Sequence, residues 1–197
     1  MVAILQNIRS LFNVGSIFRT ADAMGFEKIY LCGITPAPTD RFGNKRKEIA
    51  KVALGAQDYV PWEKIGYLPS ASRTISLIKK LKKEGYQIIA LEQSKKSIFL
   101  NQYKPPKNKK IALIVGNEVK GLANSILKHC DKILEIPMYG RKESLNVAVA
   151  FGIAAFFLKI NSKTGQKDKK NIISKSVLWS KDEKNRFKVV KESFMLY

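Results

Sequence analysis

Short apolar runs of strand length alternate along this chain with segments of helical period. That alternation limits the fold more than any other feature. Val2 to Leu5, Lys28 to Cys32, Gln87 to Leu91, Lys110 to Val115 and Lys132 to Ile136 read as strands, and Val60 to Trp62 suits a further short one. Between the first two, Asn13 to Met24 carries Ile17, Ala21 and Met24 on one helical face. Asn13 is placed to cap that helix and Gly25 to stop it. Ser72 to Lys83 turns Ile75, Ile78 and Leu81 inward and ends at Gly85. Leu122 to Lys128 is a short helical segment. Ser144 to Lys159 is rich enough in Ala, Val and Phe for a largely buried helix. Thr35 to Asn44 reads as a loop leading into the basic run Lys45-Arg46-Lys47, and Ser94 to Lys110 as a second loop. The order predicts an α/β domain with a mostly parallel sheet flanked by helices.

The charge speaks to partners rather than to fold. Thirty-six Lys and Arg against 16 Asp and Glu give a net charge of +20 at pH 7. A surplus of that size opposes compaction and favours polyanions. No apolar stretch approaches the roughly 20 residues of a membrane span, so nucleic acid ranks ahead of membrane. The start, Met1 to Asn7, shows neither a basic n-region nor a long apolar h-region, so no signal peptide is expected and the cytoplasm is the expected compartment. Cys32 and Cys130 make no disulfide framework or ligand cluster, and the single His129 excludes a multi-His centre, so no metal is expected. Both cysteines read as small buried hydrophobes. His129 reads as a residue near a helix C-terminus, and Lys79, Lys80, Lys82 and Lys83 as a solvated helix face.

Polar residues gather where strands end: after Leu91, at Gly116-Asn117-Glu118, and from Ile136 to Asn146. Ligands of open α/β sheets sit at such ends. Gly116 would let backbone approach a ligand closely. Exposed backbone groups there can bind an adenine edge, and Ile136, Met138 and Leu145 can supply apolar walls. No Gly-x-Gly-x-x-Gly follows a strand and no Gly-Lys-Ser/Thr loop is present. Plainer readings stand beside these. Asn13 can be only an N-cap, with Arg19 solvated beyond it. Gly116-Asn117-Glu118 can be an ordinary turn, with Glu118 near a helix N-terminus. Ser144 can be only the cap of the last helix, and Met138 is as much core as wall. Asn146, inside that helix's first turn, is less easily explained by structure.

Three segments taken together carry a resemblance. They are Asn13-Val14-Gly15-Ser16-Ile17-Phe18-Arg19-Thr20-Ala21-Asp22, Ile114-Val115-Gly116-Asn117-Glu118-Val119-Lys120-Gly121-Leu122, and Ile136-Pro137-Met138-Tyr139-Gly140-Arg141-Lys142-Glu143-Ser144-Leu145-Asn146-Val147-Ala148. In this order they resemble the three motifs of the SpoU (TrmH-type) branch of the SPOUT RNA methyltransferases, over residues 1 to 160. The resemblance implies an RNA 2′-O-methyltransferase that uses S-adenosylmethionine on a ribose of tRNA or rRNA. It implies a C-terminal deep trefoil knot and a homodimer with sites at the subunit interface. It implies cofactor contacts at Leu91, Gly116, Asn117, Ile136, Met138, Ser144, Leu145 and Asn146. It implies a catalytic set of Asn13, Arg19, Glu118, Ser144 and Asn146. Arg19 is the base usually offered, but a guanidinium stays protonated in proteins. A phosphate clamp that also stabilises the developing alkoxide suits Arg19 better. The proton acceptor is then a phosphate oxygen or Glu118.

Arg19, Arg41, Lys45, Arg46, Lys47 and Arg141 are the candidate RNA contacts. Many similar proteins carry an extra N-terminal RNA-binding domain, which this chain is expected to lack. Residues 161 to 197 form a basic tail without a family counterpart. It reads as a linker followed by a helix from Ser180, with Ser180 and Glu183 as a capping box and Phe187, Val190 and Phe194 as a stripe. Folding on the domain, extending a dimer and binding RNA all stay open for it. A non-catalytic RNA-binding protein on the same fold is the alternative. A small basic DNA-binding protein is weaker, because no helix-turn-helix or zinc pattern supports it.

Overall fold

Among the described residues, seven strands form one sheet, and every pairing in it is parallel. They are β1 (Val2–Gln6), β2 (Lys28–Cys32), β3 (Trp62–Ile65), β4 (Tyr86–Leu91), β5 (Ile98–Phe99), β6 (Lys110–Val115) and β7 (Lys132–Glu135). Their order is β3-β2-β1-β6-β4-β7-β5. The computed structural model describes residues 1–106 and 109–162, so the helix expected from Ser180 lies outside the described residues. The helices are α1 (Leu11–Ala23), α2 (Lys47–Ala53), α3 (Ala56–Tyr59), α4 (Ser72–Lys83), α5 (Asn124–Leu127) and α6 (Val147–Asn161), with a 3-10 turn at Leu100–Gln102.

A parallel sheet is covered on both faces, and the two-residue period of the strands divides the core accordingly. Ala3, Leu5, Leu113 and Val115 pack with Ile17 and Phe18 of α1 and Phe151 and Ala154 of α6. Ile4, Ile88, Ala112 and Ile114 pack with Ile78 and Leu81 of α4 and Ile126 of α5. Among the described residues no helix is long and apolar enough to cross a membrane, and no group of His, Cys, Asp and Glu could hold a metal.

Several boundaries differ from the sequence expectation. α1 begins before Asn13, because Ser10 is the cap and its Oγ accepts from the Asn13 N–H at 3.3 Å. α6 begins after Asn146, not at Ser144: the Asn146 Oδ1 accepts from the N–H groups of Ala148 (2.9 Å) and Val149 (3.4 Å). Both exchanges leave an amide group with a second use. β3 falls at Trp62–Ile65, because Val60 closes α3 by donating its N–H to the Ala56 carbonyl. The loop from Ser94 to Lys110 contains β5 and the 3-10 turn, both too short to leave a periodic pattern. α6 is buried on one face only. Val149, Ile153, Phe156 and Ile160 point outward at 52, 42, 54 and 48% exposure. Cys32 is buried as expected and burial pushes its thiol up to about 12, whereas Cys130 is only half-buried. The lysine face of α4 is solvated as expected; on it Lys82 pairs with Asp131 at 2.8 Å and Lys80 with Glu84 at 4.0 Å.

Candidate active site

The C-terminal ends of β4, β6 and β7 lie side by side, and the loops that follow them enclose a cleft of about 320 Å³. That is a small-molecule volume at a strand-end crevice. Leu91, Gly116, Asn117, Ile136, Met138, Ser144, Leu145 and Asn146 all line it, as does Glu118. Asn13 reaches the cleft through its hydrogen bonds to Glu118 and Asn146. The structure does not bring Arg19, Arg41, Lys45, Arg46, Lys47 or Arg141 into the cleft wall; Arg46 is half-buried and the others are exposed.

Gly116 permits a close approach, but to the protein's own chain. A Cβ there would stand 2.5 Å from the Gly121 carbonyl carbon and 2.7 Å from the Leu122 nitrogen. Gly121, at φ +61°, is held by Glu92, whose Oε2 accepts from the Leu122 N–H at 2.7 Å. The loop 116–122 therefore folds back tightly and presents Asn117 and Glu118. Asn117 is braced from both ends: its Nδ2 donates to the Asn7 carbonyl at 2.8 Å, and its Oδ1 accepts from the N–H groups of Val119 (3.0 Å) and Lys120 (2.9 Å). Asn7 sits at φ 56°, a left-handed conformation that asparagine tolerates.

Glu118 crosses to the start of α1. Its carboxylate accepts from the backbone N–H groups of Arg9 and Ser10, both at 3.0 Å, and from Asn13 Nδ2 at 3.1 Å. Burial raises its pKa, but the N–H donors of Ser10 and Arg9, with the Asn13 amide, outweigh it and leave the carboxyl below its usual range. Asn13 Oδ1 in turn accepts from Asn146 Nδ2 at 3.0 Å. One chain of hydrogen bonds thus joins α1, the loop after β6 and the cap of α6, and so joins all three matched segments.

Sequence reasoning missed Glu92, Gln93 and Glu135. Glu92 anchors the 121–122 backbone, Gln93 Nε2 donates to the Glu143 carbonyl at 2.6 Å, and Glu135 accepts from Ser97 Oγ at 2.7 Å. Their one legible signal was position, immediately after or at the end of a predicted strand.

An all-parallel α/β domain with a polar-walled cleft at its carboxyl edge is the class that fold and site define. The chain belongs to the SpoU rRNA Methylase family, whose model matches residues 1–156. The chain is 33% identical over 153 residues to the 23S rRNA (guanosine-2′-O-)-methyltransferase RlmB of Neisseria meningitidis serogroup B, covering 78% of this chain and 55% of that one. It is 31% identical over 156 residues to the tRNA (guanosine(18)-2′-O)-methyltransferase of Aquifex aeolicus, covering 79% of this chain and 67% of that one. The AdoMet-bound rRNA methyltransferase of Sinorhizobium meliloti superposes with a TM-score of 0.69 at 28% identity, over 80% of this chain and 55% of that one. The chain spans little more than half the length of several curated relatives it matches.

Proposed function

We propose that this chain is an S-adenosylmethionine-dependent methyltransferase acting on a ribose 2′-hydroxyl of tRNA or rRNA in the cytoplasm. Residues 1–160 are its catalytic domain and residues 161–197 a basic tail. The observation that carries this is the union of Asn13, Glu118 and Asn146 beside a cofactor-sized cleft. The wall chemistry fits the cofactor. Backbone N–H groups of the 136–146 loop make no hydrogen bond among the described residues and suit an adenine edge. Glu92, Glu118 and Glu135 suit a cationic ligand. When bound, S-adenosylmethionine supplies a methyl group on a sulfonium leaving group.

The residues of this chain orient the hydroxyl and offset charge. Arg19 is exposed on α1 with no ion pair or hydrogen bond among the described residues, so its guanidinium is free to clamp a phosphate and stabilise the forming alkoxide. Glu118 is a poor proton acceptor, because its oxygens already take three donors and its pKa is lowered. The proton lost by the hydroxyl as oxygen attacks the methyl carbon goes to a phosphate oxygen. The protein works as a homodimer, a reading supported by the exposed apolar stripe of α6. The chain from Gly116 to α6 forms a trefoil knot, supported by the return of α6 from β7 onto α1, β4 and β6. An experimental trace in which α6 does not thread the preceding loops rejects the knot.

The activity is tested by methyl transfer from radiolabelled S-adenosylmethionine into unmodified tRNA and rRNA, with Arg19→Ala in parallel. Label in one RNA class with wild type, reduced at least about 100-fold in the variant, supports the reading. No label, with cofactor and RNA both bound, overturns catalysis.

A further inference from the structure

The basic loop before α2 carries an aromatic tip that the cleft does not use. Asp40 builds the tip: its Oδ1 accepts from the N–H groups of Phe42 (2.8 Å) and Asn44 (2.9 Å), and its Oδ2 from the Asn44 side chain (3.2 Å). Thr39 and Lys45 bridge in antiparallel fashion behind it. Phe42 is thereby held outward at 74% exposure, with the Arg41 guanidinium 4.7 Å from its ring centroid. Lys45 then pairs with Asp58 at 3.0 Å, which ties the loop to α3. The residue after Asp58 is Tyr59, exposed at 77%, whose ring lies over Gly55. Leu54, at φ 50° between α2 and α3, adds a third exposed apolar side chain at 65%.

The segment tied together by the Lys45–Asp58 pair thus exposes three large apolar side chains to water, Phe42, Leu54 and Tyr59. Its chemistry narrows the use. The carboxylates of Asp40 and Asp58 are taken up internally, which leaves Glu48 as the remaining acid of the segment. Arg41, Lys47 and Lys51 are exposed with no ion pair among the described residues. Aromatic faces beside unpaired cations match a single strand, whose bases stack and whose phosphates are negative. The placement is fixed as well. α2 crosses α1 at Gly15, where a Cβ would stand 2.7 Å from the Ile49 carbonyl oxygen. The surface therefore lies one helix away from Asn13 and Arg19.

We infer that Phe42 and Tyr59 form a stacking platform for an unpaired nucleotide of the RNA substrate, with Arg41, Lys47 and Lys51 on its phosphates. This rests on the RNA reading above and deepens it: the substrate presents single-stranded bases near the methylated ribose, not a continuous duplex.

The test uses the full chain and a 12-nucleotide RNA carrying 2-aminopurine, free or annealed to its complement, with Phe42→Ala, Tyr59→Ala and Phe42→Trp. Wild type should bind the single strand with a change in 2-aminopurine fluorescence. Each alanine variant should weaken that binding about tenfold and diminish the change, and Phe42→Trp should retain both. Duplex binding, the salt slope and the dissociation constant for S-adenosylmethionine should stay at wild-type values, which also shows that the variants fold. The platform is overturned if the alanine variants bind the single strand as wild type does, or if both probes weaken equally. It is overturned too if the variants instead change the oligomeric state, which would make this face a contact between copies. Wild type that binds neither RNA at low salt rejects the RNA reading itself, whereas RNA binding indifferent to Phe42 and Tyr59 rejects the platform alone.

Discussion

Glu118 illustrates how one side chain can tie together segments that lie far apart in the sequence. The fold stabilises the ionised carboxylate, since three donors from the start of α1 converge on it. Its folded pKa is lowered, so the stabilisation is complete above the ordinary carboxyl value of about 4.3 and is lost as pH falls through the folded value. Glu118→Gln should therefore be less stable than wild type at neutral pH by about 1 kcal/mol. The gap should narrow in acid. Urea unfolding at pH 7 and near the low end of the folded range measures it, and a gap that stays constant between them rejects the account.

The helices meet the cleft through their caps. Asn13 reads in sequence as the cap of α1, a role that Ser10 performs instead, and Asn146 reads as a residue of the first turn of α6, which it caps. Caps shift by a residue or two because several Ser, Thr, Asn and Asp compete locally for the same N–H groups. Asn146 does two things at once, and substitution separates them. Asn146→Ser keeps an oxygen for the Ala148 N–H but removes the Nδ2 donor to Asn13. It should retain the stability of wild type within about 0.5 kcal/mol while methyl transfer falls. Asn146→Ala should lose both. Equal activity in Asn146→Ser and wild type removes the amide link from the mechanism.

At the scale of the whole molecule, the outward row of Val149, Ile153, Phe156 and Ile160 follows the helical period along α6. In the proposed homodimer, a second copy of the chain covers this row. Ile153→Asp together with Phe156→Asp should convert the proposed dimer to a monomer in light scattering. Activity should fall with it, since the proposed sites lie at the interface. A monomeric wild type, or a double variant that stays dimeric, rejects that surface. The charge of +20 acts over the same scale. It should make RNA affinity fall steeply with salt, whereas cofactor affinity should not follow.

The sequence alone determined the α/β class, because strand and helical periods alternate and are set by local geometry. It also supplied about half of the residues that line the cleft, because strand ends are legible as the last residues of apolar runs. The caps, the two-residue strand β5 and the single exposed face of α6 needed the tertiary structure. Too few residues carry the first two to leave a period, and an apolar stripe looks the same whether it meets a core or a partner. Only the folded chain could show that Gly116 yields to Gly121 and Leu122, and that Glu118 reaches across more than 100 residues of sequence to the start of α1. Those contacts join segments that no local pattern relates.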